Sequence, residues 1–127
     1  MGLKAVARPQ GSENFTSLTV TGTTTLAALV MARKTVAFAD TPYAVTATDY
    51  QIDVDTSGGA VTVTLPASPT NGRELNIKKI TTDANVLTIA CNTKNIEGAA
   101  SDVTTSSGAR PNYAIQYDST AAGWWIQ

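Results

Sequence analysis

The sequence predicts an all-β fold, with an antiparallel, jelly-roll-like β-sandwich as the leading architecture and a barrel as the alternative. Three observations carry that expectation. Apolar residues step by two through most of the chain after residue 36, turn signals recur about every ten residues, and threonine supplies about a sixth of all positions. A β-branched side chain with a hydroxyl suits the solvent face of a pleated strand better than a helix. Charged residues make up only 15% of the chain, against roughly 25% in an average soluble domain. Thr, Ser and Ala must therefore cover much of the surface.

Residues 1–14 carry Lys4, Arg8, Pro9 and Gly11 with little periodicity and read as an extended arm. In the next segment Leu18 and Val20 alternate with Thr19 and Thr21 before Gly22. This predicts a short strand, a turn and a second short strand, forming a stem over residues 15–35. Leu26 to Ala32 fits one or two helical turns equally well, because Ala, Leu and Met favour helix and its length does not decide.

The body is expected over residues 36–127. Tyr43 and Val45, then Tyr50, Ile52 and Val54, then Val61, Val63 and Leu65 step by two before Pro66. Asn71-Gly72 marks a turn, because both residues tolerate positive φ. Strands follow over Leu75 to Ile80, Val86 to Cys91 and Tyr113 to Tyr117, with a turn at Asn95 to Gly98, a Ser/Thr/Gly-rich loop from Ser101 to Gly108 and a closing Gly123-Trp124-Trp125-Ile126.

Asp53-Val54-Asp55-Thr56-Ser57-Gly58 opens like a calcium-binding loop. The match fails at the twelfth position, where Thr64 replaces the bidentate Glu, and no helical pattern flanks the segment. Alternation instead predicts a hairpin with Asp53 and Asp55 on its solvent face. A weaker, non-EF calcium site built from these two aspartates stays open as an alternative.

Composition narrows the chemistry. A net charge of -1, from nine basic and ten acidic side chains, gives no field to steer nucleic acid or an anionic membrane. The apolar run Leu26 to Ala32 is too short to span a bilayer. With no histidine in the chain, a Ser-His or Cys-His pair and His-ligated zinc are excluded. Carboxylate pairs for glycoside hydrolysis, drawn from Asp49, Asp53, Asp55, Glu74, Glu97 or Asp118, fall in turns or on polar strand faces, where solvated acids are ordinary. The reading is that the protein is not an enzyme and takes no cofactor. The single Cys91 sits in an apolar run and is expected to be a small buried thiol.

Trp124 and Trp125 are adjacent, so in a strand they face opposite ways, and one is a candidate for an interface or a ligand. With Tyr43, Tyr50, Tyr113 and Tyr117 they would form either a sugar-stacking platform or packing beneath a sheet or across a subunit contact. A strand surface this poor in charge also needs its edges covered, and association of identical chains is the simplest remedy.

The strings Leu18-Thr-Val-Thr-Gly-Thr-Thr-Thr-Leu26, Tyr43-Ala-Val-Thr-Ala-Thr-Asp49, Ile52-Asp-Val-Asp-Thr-Ser-Gly-Gly-Ala-Val-Thr-Val-Thr-Leu65-Pro66, Asn71-Gly-Arg-Glu-Leu-Asn-Ile-Lys-Lys79 and Gly123-Trp-Trp together resemble structural proteins of tailed bacteriophages. Tail-fibre, head-fibre and capsid-decoration proteins share such patterns, and the resemblance covers most of residues 15–127. It implies a virion component, often a homotrimer. The arm, with Lys4, Arg8 and Pro9, would attach to capsid, neck or tail proteins; Phe15, Leu18, Val20 and Leu26 would line the trimeric stem; the body would be displayed. The short stem favours a head fibre or decoration protein over a full tail fibre. The alternative is a receptor- or carbohydrate-binding module of a tail fibre, using Trp124 or Trp125 on a host-surface glycan. The resemblance carries over no catalytic residue.

Overall fold

The computed structural model describes residues 30–105 and 107–127. Lys4, Arg8, Pro9, Phe15, Leu18, Val20 and Leu26, the expected arm and stem positions, lie outside the described residues. The described chain is all-β apart from one short 3-10 turn at Phe38–Asp40. Its strands are β1 (Arg33–Ala37), β2 (Tyr43–Ala44), β3 (Gln51–Asp55), β4 (Val61–Thr64), β5 (Glu74–Lys79), β6 (Leu87–Ala90), β7 (Asn95–Ile96), β8 (Val103–Thr104), β9 (Asn112–Asp118) and β10 (Gly123–Ile126). They form a six-stranded sheet of order β1-β3-β5-β9-β10-β7 and a four-stranded sheet of order β2-β4-β6-β8.

From β1 to β8 the chain changes sheet at every connection. β3 and β5 each lie beside the strand two before them, as do β4, β6 and β8, whereas β7 lies beside β10; β1, β3 and β5 run parallel, as do β2, β4 and β6. Parallel neighbours need a long crossover, and here the intervening strand of the other sheet supplies it. The expected antiparallel, jelly-roll-like pairing is thus corrected: among the described strand pairs, only β5 with β9, β9 with β10 and β6 with β8 are antiparallel. β10 with β7 is parallel as well. The predicted hairpin around Thr56 to Ala60 is likewise a crossing between sheets, with β3 in one and β4 in the other. Period-two alternation fixes which face a residue takes but not which strand lies beside it.

The alternation itself holds. Val36, Ile52, Val54, Leu75, Ile77, Ile115, Tyr117 and Trp124 from the six-stranded sheet join Val61, Val63, Leu87 and Ile89 from the four-stranded sheet in one buried cluster. Burying each aliphatic side chain contributes about 1.5–3 kcal/mol as an upper estimate. On the opposite side of the four-stranded sheet, Thr62, Thr88 and Thr104 stand in register across β4, β6 and β8.

Two boundaries differ from expectation. β1 starts at Arg33, so the last residues assigned to the stem are part of the sheet, and the Ser101 to Gly108 loop contains β8. The crossing after β3 depends on its two glycines. The Phe38 ring lies against their backbone, and a Cβ on Gly59, whose φ is +148°, would come within 2.7 Å of ring carbons. Glu97 and Gly98, with φ of 52° and 77°, form the two-residue turn between Ile96 and Ala99, as a primed turn requires.

Candidate functional site

Trp124 is fully buried and meets the Tyr117 ring at a centroid distance of 5.4 Å and an interplanar angle of 57°. This tilted contact is a favourable aromatic geometry. The neighbouring Trp125 therefore turns to the outer face of the six-stranded sheet, where it is half-buried. The pair separates as the sequence predicts, and the structure assigns Trp124 to the core and Trp125 to the surface.

Register shows what shares that face. Glu74, Gln116 and Trp125 form one row across β5, β9 and β10, and the Gln116 amide donates to a Glu74 carboxylate oxygen at 3.0 Å. The next row contains Arg33, Gln51, Asn76 and Ala114. Gln127 continues it, its backbone N–H bonding to the Ala114 carbonyl. Tyr50, Glu74, Asn76, Ala114 and Gln127 line a shallow depression of about 300 Å³ on this sheet. An aromatic ring, several amides and one carboxylate on a flat face can stack on and hydrogen-bond a polyhydroxylated ligand.

The tyrosines do not gather there. Tyr117 is core, Tyr113 packs partly against the core, and the Tyr43 hydroxyl donates to Asp49 at 2.8 Å; only Tyr50 reaches the depression. The amides were missed in the sequence. Gln51, Asn76 and Gln116 occupy the phase opposite to Ile52, Ile77 and Ile115, and that phase was the available signal.

The carboxylates are engaged in structural contacts. Asp53, expected in solvent, is 4% exposed, because the Arg33 guanidinium pairs with it and the Gln51 amide donates to it at 3.0 Å. Asp55 accepts the Ser57 N–H at 2.8 Å and so shapes the turn. Its hydrogen bonds with Ser57 hold its carboxyl below the usual range. Asp49 accepts both the N–H and the hydroxyl of Thr46. Partial burial pushes its carboxyl up, but the Thr46 and Tyr43 hydrogen bonds and the Arg73 charge prevail and lower it. Burial foremost, then Asp49, pushes the Tyr43 hydroxyl up to about 12. Among the described residues, no group of three or more Cys, Asp or Glu is arranged to hold a metal ion.

A second polar cluster lies at the far end of β5. Lys79 is fully buried, and its ammonium donates to the carbonyls of Asp83 at 2.9 Å and Asn85 at 2.7 Å. The Asp83 carboxylate stands 3.7 Å from that ammonium and accepts the Thr56 hydroxyl and the Asn85 N–H. Hydrogen bonding from Thr81 foremost, with Thr56, Asn85 and the Lys79 charge, holds Asp83 down to about 2 against partial desolvation. Cys91 is half-buried rather than buried; desolvation first, then Asp102, raises its thiol. No protein-family model and no curated protein matches this chain.

Proposed function

We propose that this chain is a structural component of a tailed-phage particle, a head fibre or capsid-decoration protein. Its arm, residues 1–14 with Lys4, Arg8 and Pro9, attaches to capsid or neck proteins, and Phe15, Leu18, Val20 and Leu26 hold three copies together. The two sheets then serve as a displayed sandwich. The observation that carries this reading is how the body uses its few charges. Asp49, Asp53, Asp55, Lys79 and Asp83 each bind a turn or a neighbouring strand of the same chain. A body whose charged groups serve its own architecture suits display and durability. Deleting residues 1–14 is expected to abolish co-sedimentation with particles while the purified chain stays folded and trimeric by mass photometry. Undiminished particle binding removes the attachment role, and a stable full-length monomer removes the trimer.

A second reading is favoured by one specific feature, the row of Trp125, Gln116 and Glu74 beside the depression at Asn76 and Gln127. On this reading the outer face binds a neutral host-surface glycan. Trp125→Ala is expected to leave the melting midpoint nearly unchanged and to weaken glycan binding about tenfold, since stacking of a sugar on an aromatic ring is worth roughly 1–2 kcal/mol by analogy with other aromatic contacts. A glycan array with no signal for the unmodified protein excludes it.

A further inference from the structure

Asn71-Gly72 is exposed at the turn before β5, and Gly72 has φ of +77° with nothing within 4 Å of where a Cβ would stand. An asparagine followed by glycine is chemically primed for deamidation, because no side chain on the second residue hinders ring closure. The backbone nitrogen of Gly72, once deprotonated, attacks Cγ of Asn71. The bond from Cγ to the side-chain nitrogen breaks, ammonia leaves, and a five-membered succinimide forms. Water then opens either carbonyl of the ring, leaving aspartate or isoaspartate at position 71. The net change is the gain of one water and the loss of one ammonia, with no oxidation or reduction.

Both reacting groups are held away from each other's path. The Gly72 N–H donates to the Tyr117 carbonyl at 2.9 Å, so the nucleophile keeps its proton and is turned toward β9. The Asn71 side-chain carbonyl accepts the Ser119 N–H at 2.9 Å, so the electrophile is turned toward the connection between β9 and β10. The next residue is fixed as well: the Arg73 N–H donates to Thr70 and its carbonyl accepts the Tyr117 N–H, while its guanidinium bonds the carbonyls of Thr46 and Asp49. No packing shields the site, so these bonds alone bar the reaction.

We propose that Asn71-Gly72 is a deamidation site that the fold latches shut through Tyr117 and Ser119, and that its rate of modification reads the opening of this end of β9. Modification is one-way. Where the ring opens to isoaspartate, a methylene is added to the backbone between positions 71 and 72, so the bonds to Ser119 and Tyr117 no longer fit together and the turn cannot close in the same register; where it opens to aspartate, the backbone is unchanged and the turn gains a carboxylate.

The test is peptide mass mapping of the whole chain after incubation at mildly alkaline pH. Native protein is expected to deamidate at position 71 about 30-fold more slowly than the same protein in urea, the factor expected when two hydrogen bonds of ordinary net strength must open first. Ser119→Pro, which removes one latch donor, is expected to raise the native rate, and Asn71→Gln to abolish the signal. Hydrogen exchange of the Gly72 amide in the unmodified protein provides a readout that does not depend on any variant folding, and protection is expected. Equal rates in native and denatured protein, or a Gly72 amide that exchanges freely, overturn the latch. Absence of modification in urea overturns the site.

Discussion

Trp124→Ala is expected to cost about 3–5 kcal/mol, the usual range for deleting a buried large aromatic side chain. A domain of this size is stable by only about 5–15 kcal/mol, so the melting midpoint should fall by at least about 12 °C. The loss is large because Trp124 is fully buried and packs on Tyr117 at the end of the core. Its indole N–H is buried without an acceptor, so its contribution comes from packing rather than hydrogen bonding. Trp124→Phe, which keeps most of the ring and removes that N–H, should therefore cost much less than Trp124→Ala. Thermal denaturation followed by circular dichroism checks both. Near-equal midpoints for the alanine variant and the unmodified protein would remove Trp124 from the core.

Lys79→Met is expected to cost about 2–3 kcal/mol, although it replaces a charge by an apolar side chain of similar length at a fully buried position. The Asn85 carbonyl loses its donor, the Asp83 carbonyl keeps only the Gly108 N–H, and the Asp83 carboxylate loses its cation; these charge-assisted contacts carry most of that cost. Urea denaturation gives the measurement, with a lowered midpoint and an unchanged slope. The same cluster sets an acid limit. Because the folded Asp83 is held to about 2, below its ordinary 3.8, its contribution is complete above that ordinary value and is lost as pH falls from there toward 2. Asp83→Asn should lower stability at neutral pH and flatten the acid dependence in that window. An acid slope as steep in the variant as in the unmodified protein would assign it to Asp49 and Asp55 instead, whose carboxyls are also lowered.

These positions show where the sequence was readable. Val61 with Val63 and Leu75 with Ile77 announce strands because each apolar side chain must reach the core on alternate residues. The same rule, carried one step further, places Lys79 inward after Leu75 and Ile77, yet beside Lys78 it reads as one of two solvated lysines. The carbonyls of Asp83 and Asn85 and the Asp83 carboxylate, brought to it by the loop after β5, make that position tolerable. Asp53 is a similar case. Its partner Arg33 is 20 residues away, and nothing local reveals that β1 lies beside β3. Strand partners escaped for the same reason: alternation is identical in parallel and antiparallel sheets, and Thr-Ser-Gly-Gly serves a crossing between sheets as readily as a hairpin. The split of Trp124 from Trp125 was legible from adjacency alone, whereas the amide row beside Trp125 needed the register of β5, β9 and β10.

The parallel seating of β1 on β3 has a mechanical consequence. Five consecutive positions, Arg33 to Ala37, pair in register with Gln51 to Asp55, so β1 is held to β3 along its whole length. Traction applied to β1 along the strand loads the whole set of hydrogen bonds together in shear, where a hairpin pulled at its open end would peel one pair at a time. On the proposed attachment through residues 1–14, drag on the body would load β1 and β3 in shear, and the strand that bears this load is also clamped from the side by Arg33 and Asp53.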